Sequence, residues 1–234
     1  MILIVAAMEV EYNEILLLMN DSKKHTLQHV EYHQGSINDN EVTLMLSGIG
    51  KVNTAYALTT ILNFIPIDFI INVGSAGGVV NEHEVDILDI VVAKKVCNHD
   101  IDLVLANRLP GVLPDLPQYY QSAVNKNILM ALSQLDLKYH YATIASGDQF
   151  IGDLNRLNYV TQNFEDVCAV EMEAGSIAQI AYLRKIPFII IRSISDVIGK
   201  EVPNQIQFEE YIVKASKNSA LATQKIIENY KSVL

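Results

Sequence analysis

The chain has 234 residues, half of them apolar, with 17 basic and 27 acidic side chains and a formal charge of −10. That length fits one large α/β domain, and the apolar half is ample for a single covered core. The negative balance argues against nucleic acid or an anionic membrane as a partner and leaves small ligands open. Two cysteines, Cys97 and Cys168, stand in apolar contexts without CxxC spacing. A metal site is therefore not expected, and a reduced, cytoplasmic setting is. The apolar start MILIVAAM reaches Glu9 with no basic n-region, so it reads as a first strand and not as a signal peptide. No apolar run approaches the length of a membrane span.

In chain order, Ile2–Ala7 predicts a buried strand and Glu9–Met19 a helix with Ile15, Leu16, Leu18 and Met19 on one side. Val30–Asn38 and Val42–Ser47 predict a hairpin around Asn38-Asp39-Asn40. Ser47-Gly48-Ile49-Gly50-Lys51 opens a helix that runs to Phe64 and is ended by Pro66. Phe69–Val73 is the next buried strand and leads into the glycine turn Gly74–Gly78, and Ile87–Ala93 is another strand. Residues 98–117 carry three prolines and little periodicity, which predicts a long functional loop or flap.

Asn127–Leu135 predicts a helix and Tyr141–Ser146 a strand ending in Gly147-Asp148-Gln149-Phe150. Leu154–Asn163 is helical, Val167–Val170 is a short strand ending at Glu171-Met172-Glu173, and Ala174–Arg184 is a helix rich in small residues. The run Phe188–Ile191 is too short and too β-branched for a helix and reads as a strand buried on both faces. It turns polar at Arg192, Ser193, Ser195 and Asp196, and Phe208–Tyr230 closes the chain as an amphipathic helix. Strand–helix alternation without linker or repeat predicts a single domain over 1–234. Its fold class is α/β: three layers, with a mixed, mostly parallel central sheet flanked by helices.

Five predicted strand ends carry polar or glycine-rich groups: Glu9 and Glu11, Gly74–Gly78, Gly147–Phe150, Glu171–Glu173 and Arg192–Asp196. In open α/β sheets ligands bind beyond the carboxyl ends of the strands, so parallel strands would gather these groups in one crevice. Taken singly, each acid reads as a solvated charge and Phe150 as a core ring. GSAGG is not GxGxxG, and SGIGK lacks the first glycine and the Ser/Thr of a Walker loop, so no cofactor is implied. Two positions apart in a strand-like segment, Glu171 and Glu173 share one side with Met172 opposed. Paired carboxylates can accept the two hydroxyls of a ribose, and a ring after a glycine turn can stack on a purine. A desolvated Asp can donate a proton to a leaving base, and a Glu beside Arg and Ser can deprotonate a water. Together they suit cleavage of an N-glycosidic bond through an oxocarbenium-like state.

The motifs AAMEVE (Ala6–Glu11), SGIGKVN (Ser47–Asn53), NVGSAGG (Asn72–Gly78), SGDQFI (Ser146–Ile151), VEMEA (Val170–Ala174) and RSISD (Arg192–Asp196) occur in this order. In them the chain resembles the 5′-methylthioadenosine/S-adenosylhomocysteine nucleosidases of the nucleoside phosphorylase superfamily. The resemblance implies that Asp196, beside Ser195, is the general acid toward adenine N7 and that Glu11 is the base acting through the attacking water. It implies that Ser75 and Arg192 hold that water, Glu173 takes the ribose hydroxyls, Phe150 stacks on adenine and the Ile151 backbone reads the base edge. By the same resemblance, Met8, Ile49, Met172 and Phe208 would line the sugar and 5′-substituent pocket. It further implies a small-molecule nucleoside substrate, no metal, no cofactor and a homodimer.

Two segments depart from the family pattern. The flap after His99-Asp100 has no aromatic ring up to Arg108, so the expected contacts to the 5′-substituent are aliphatic: Leu103, Leu105 or Leu109, from this chain or a partner. The segment Val79–Asp89 is about two residues longer than expected. Two other readings stay open: a nucleoside phosphorylase of the same fold, and a non-catalytic purine-binding protein. Having both Glu11 and Asp196 counts against the second. Against the first, the chain holds four arginines, Arg108, Arg156, Arg184 and Arg192, and none before residue 108 to clamp a phosphate dianion.

Overall fold

The computed structural model describes residues 1–80 and 83–232. Residues 81 and 82, within the segment Val79–Asp89 that is longer than the family pattern, lie outside the described residues.

The N-terminal half comprises β1 (Ile2–Ala6), α1 (Glu9–Leu16), β2 (Asn20–Leu27), β3 (Val30–Ile37), β4 (Asn40–Leu46), α2 (Lys51–Phe64) and β5 (Phe69–Gly78). It continues through β6 (Ile90–Asn98), β7 (Tyr120–Gln121), α3 (Lys126–Leu132), β8 (Tyr139–Ser146), α4 (Leu154–Asn163) and β9 (Val167–Glu171). The chain closes with α5 (Ala174–Arg184), β10 (Phe188–Val197) and α6 (Asn204–Asn229). The strands form one mixed sheet in the order β10-β6-β8-β9-β5-β1-β4-β3-β2, with β7 beside β6. β10 also pairs with β5, so that end of the sheet curls into a closed ring of β5, β10, β6, β8 and β9. Pairings β1–β4, β1–β5, β5–β10, β6–β8 and β8–β9 are parallel. Pairings β5–β9, β6–β10, β6–β7, β2–β3 and β3–β4 are antiparallel.

The core strands are the uninterrupted apolar runs. Ile2–Ala6 of β1 and Phe188–Ile191 of β10 are buried throughout because helices cover both faces. One core layer joins α2 and α5 to the sheet through Leu58, Ile61, Ile177 and Ala181. The other joins α1, α3 and α6 through Ile15, Ile128, Ala222 and Ile226. Small residues on the buried side of α5 let it lie close to the sheet. The hairpin β3–β4 turns at Asn38 and Asp39, both with positive φ, as a tight two-residue turn demands.

Several boundaries differ from expectation. Residues 74–78 are not a turn: they continue β5, bonded to β10 from Gly74↔Arg192 to Gly78↔Val197. The helix after Glu9 ends at Leu16 and not at Met19, and α6 begins at Asn204 and not at Phe208. The strand expected at Ile87–Ala93 runs from Ile90 to Asn98, with a bulge after Ala93. β2, NDSKKHTL, has no apolar alternation to reveal it: it is an exposed edge strand whose polar side chains blunt further pairing.

Candidate active site

The site forms where the far ends of β1, β5, β8, β9 and β10 meet. The strands are not all parallel, so parallelism alone does not bring these ends together. β9 approaches β5 from the opposite direction and pairs only at its tip, Val170↔Gly77 and Ala169↔Gly78. A Cβ on Gly77 would stand 3.3 Å from both Asp196 Oδ2 and Val170 Cγ2. A side chain there would press on both strand tips, which would have to give by a few tenths of an ångström to admit it.

Asp196 follows a β-bulge in β10: Ile194 pairs with Ala76 and Asp196 with Gly77, leaving Ser195 as the extra residue. Bulges of this kind re-aim a side chain. The Asp196 carboxylate is buried, with Ser195 Oγ donating to Oδ1 at 2.8 Å and Asn204 Nδ2 to Oδ2 at 2.6 Å. Burial raises its pKa, and the two donors offset only part of that rise.

Glu11 sits in the first turn of α1. Its Oε2 accepts the N–H groups of Ala7 and Met8, each at 3.1 Å, which satisfies donors at the helix start. Its Oε1 accepts Ser75 N at 2.9 Å and Ser75 Oγ at 3.3 Å. Burial raises this carboxyl too, against the lowering effect of the Arg192 charge and the three backbone donors. Glu9, two residues earlier, is exposed and takes no part.

Arg192 is fully buried in β10 and does not line the cleft itself. Its Nη2 donates to Asn72 Oδ1 at 2.6 Å, is paired closely with Glu171 and stands 3.6 Å from Glu173 Oε2. A Cβ on Gly74 would lie 2.6 Å from both Arg192 Nη1 and Glu11 Oε1, so this glycine lets the guanidinium reach in behind the base. Burial opposes the charge on Arg192, but Glu171, Glu173 and Glu11 outweigh it and hold the group protonated. Glu171 also accepts the N–H groups of Glu173 at 3.0 Å and of Ala174 at 2.9 Å, capping α5. Glu173 Oε1 accepts Gly50 N at 2.8 Å, and burial together with the Glu171 charge pushes its pKa up to about 8.

One cleft connects these groups. Met8, Glu11, Ile49, Ser75, Phe150, Ile151, Met172, Glu173, Ser195, Asp196 and Phe208 all line it. Met172 therefore faces the same cleft as Glu171 and Glu173 instead of opposing them, because the strand ends at Glu171 and the backbone turns into α5. Phe150 is 52% exposed and meets Phe208 edge-on, with ring centroids 6.0 Å apart, so it is not a core ring. The flap leucines Leu103, Leu105 and Leu109 do not line this chain's cleft, and Leu105 and Leu109 face solvent. Among the described residues, no group of three His, Cys, Asp or Glu is placed to hold a metal. Asn72, Gln149, Asn204 and the Arg192-facing role of Glu171 were not foreseen. Asn72, Gln149 and Glu171 lie inside the recognised motifs and Asn204 does not, but the Arg192 contacts of Asn72 and Glu171 are made between strands and have no local signal.

The geometry is that of a pocket with a buried acid at each end and an open aromatic face at its mouth. The profile described as the Phosphorylase superfamily matches residues 1–229. A 5′-methylthioadenosine/S-adenosylhomocysteine nucleosidase of Bacillus subtilis is 36% identical over 229 residues, covering 96% of this chain and 97% of the relative. The solved nucleosidase of Streptococcus pneumoniae with the transition-state inhibitor MT-ImmA superposes with a TM-score of 0.88 at 31% identity, covering 98% of this chain and 99% of that one. That of Colwellia psychrerythraea, in complex with adenine, gives a TM-score of 0.88 at 32% identity over 97% of this chain and 94% of that one. On sequence and fold alike, this chain belongs to the phosphorylase superfamily, within the family of 5′-methylthioadenosine/S-adenosylhomocysteine nucleosidases.

Proposed function

We propose that the chain, one domain from end to end, is a hydrolase that cleaves the N-glycosidic bond of 5′-methylthioadenosine and S-adenosylhomocysteine, releasing adenine and the 5-substituted ribose. The observation that carries this reading is the pair of buried carboxyls facing one cleft, Asp196 among neutral donors and Glu11 against Ser75 with Arg192 behind. Asp196 passes its proton to N7 of adenine as the C1′–N9 bond breaks, and the bonding electrons leave with the base. A water held by Glu11 and Ser75, with Arg192 acting from behind Glu11, attacks C1′ and gives its proton to Glu11. Glu173 accepts the ribose hydroxyls, Phe150 stacks on adenine, and the Ile151 backbone meets the base edge. Ser195 steadies Asp196, while Met8, Ile49, Met172 and Phe208 enclose the sugar and its 5′-substituent. No metal or cofactor enters this scheme.

Phosphate as nucleophile fits the site poorly. The cleft lining holds no Lys or Arg, and Arg192 behind it is committed to two carboxylates. A dianion normally finds several such donors. The test is adenine release from methylthioadenosine in phosphate-free buffer and again with millimolar phosphate. The expected result is equal release and free sugar in both. Release that stops without phosphate, with a sugar 1-phosphate accumulating when it is added, identifies a phosphorylase and removes Glu11 from its role.

The same reading makes the protein a homodimer and, with two cysteines that form no disulfide, a cytoplasmic one. The support for the dimer is the groove between α2, α5 and the flap, lined by Ala55, Ile101, Leu113, Ile180 and the exposed Val52. Sedimentation that finds only a monomer at micromolar concentration overturns the dimer. No helix among the described residues is long and apolar enough to cross a membrane.

A further inference from the structure

Lys51, at the end of the motif SGIGK, and Asp100, of the pair His99-Asp100, have no part in the chemistry above, yet they meet outside the cleft lining. Lys51 Nζ is paired with Asp100 Oδ1 and donates to Asn98 Oδ1 at 3.3 Å. The other Asp100 oxygen accepts the backbone N–H of Asp148 at 3.0 Å, and Asp148 Oδ1 accepts the backbone N–H of Lys51 at 2.7 Å. These bonds close a ring through three loops that are remote in sequence. The Lys51 and Asp100 side chains are only 19% and 16% exposed, so solvent screens their attraction weakly. Two glycines permit the approach. A Cβ on Gly50, whose φ is 91°, would stand 3.1 Å from Asp148 Oδ1; one on Gly147 would stand 2.5 Å from the His99 ring and 3.0 Å from Asp100 Cγ.

Two corners of the ring, Lys51 and Asp148, adjoin residues of the cleft. Gly50, adjoining Lys51, gives its N–H to Glu173, on the side assigned to the sugar. Asp148 is followed directly by Gln149, Phe150 and Ile151, on the side assigned to the base. We infer that Lys51, Asp100 and Asp148 are positioning residues that hold the sugar-side Glu173 and the base-side turn at one fixed separation. The inference rests on the nucleosidase reading of the cleft. None of the three lines the cleft. Their effect is on geometry: the reaction stretches the bond between base and sugar, so the two halves must be gripped at the separation of the transition state. Misplacing reacting groups by about 1 Å costs on the order of a hundredfold in rate.

The experiment compares the parent with Lys51→Met, which keeps the stem and loses the ammonium, and with Lys51→Arg, which keeps the cation. Measured are kcat and KM for methylthioadenosine and the Kd of adenine alone, on variants whose circular dichroism matches the parent. Lys51→Met is expected to lower kcat/KM about 10- to 100-fold, because a charge-assisted link between the two loops is lost. Adenine alone engages only the base side, so its Kd is expected to change less than about threefold, and Lys51→Arg to recover most of the activity. Asp100→Asn is expected to lose a similar factor, and the double variant little more than either, as for residues acting through one cluster. If Lys51→Met does not fold, Asp100→Asn, which retains an acceptor for Asp148 N–H, gives the same readings. An unchanged kcat/KM, adenine affinity falling in step with kcat/KM, or additive losses in the double variant each overturn the inference. A parent that releases no adenine from methylthioadenosine refutes the nucleosidase reading instead.

Discussion

The two ends of the cleft hold carboxyls that are equally hidden from water but differently surrounded. At one end Asp196 has only neutral donors, Ser195 and Asn204, and among the described residues no cation is ion-paired with it. At the other, Glu11, Glu171 and Glu173 gather around one buried guanidinium, with backbone N–H groups filling most remaining acceptor positions. Burial raises the proton affinity of Asp196 with no nearby charge to reverse it. Arg192 works against burial at Glu11. Burial alone therefore does not assign roles. The neighbouring charge does: the isolated carboxyl suits a proton donor, and the one backed by a cation suits a proton acceptor.

The comparison breaks most sharply at Asp196. Asp196→Asn keeps both hydrogen-bond partners within reach but has no proton to deliver, so kcat is expected to fall about a hundred- to ten-thousand-fold with KM little changed. Steady-state adenine release measures this; turnover within a few-fold of the parent would remove Asp196 from the mechanism.

At the other end, Glu171→Gln retains an acceptor for the N–H groups that start α5 but removes the charge closest to Arg192. Taking one partner from a buried pair leaves an uncompensated charge, and Glu173 compensates only in part, so a loss of about 3 kcal/mol in urea unfolding is expected. An unmoved midpoint would mean that Glu173 and Glu11 suffice to balance the guanidinium.

A pH series sharpens the comparison further. Glu173 has its folded-state pKa pushed up to about 8, so between its ordinary value and pH 8 the folded chain holds a proton that the unfolded chain has released. The stability from this group is therefore complete below the ordinary carboxylate range and is lost as pH rises toward 8. Glu173→Gln is expected to flatten the fall of Tm between pH 5 and pH 8. Parallel curves for parent and variant would contradict it.

The smallest effect is expected from Asn204→Ala. Asn204 donates to Asp196 and so favours its ionised form. Without it the acid keeps its proton to higher pH, and the alkaline limb of kcat/KM is expected to move upward. A limb that stays in place, or moves down, would show that Asn204 does not favour the ionised Asp196 in the free enzyme.

What could be read in advance follows the kind of signal each element carries. Buried strands such as Ile2–Ala6 and Phe188–Ile191 are continuous apolar runs, legible without any partner. The helices Leu154–Asn163 and Ala174–Arg184 were expected at the bounds they have. β2 escaped because an exposed edge strand needs no apolar face. Residues 74–78 were read as a turn because five residues containing three glycines look like one. They are a strand because β10 supplies the pairing and the glycines make room for Arg192, Glu11 and Val170.

By itself the sequence determined the fold class, the family motifs and the residue types that meet in the cleft, since these rest on local patterns and on short runs of chemically committed residues. Tertiary structure alone decided which charges meet. Arg192 faces Glu171 across 21 positions and Asn72 across 120, and Lys51 reaches Asp100 across 49. Such contacts leave no mark on local periodicity, because they are set by strand register and by where a glycine lets two chains approach. The same holds for the shift of each acid's pKa from its ordinary value, which depends on burial and neighbouring charge.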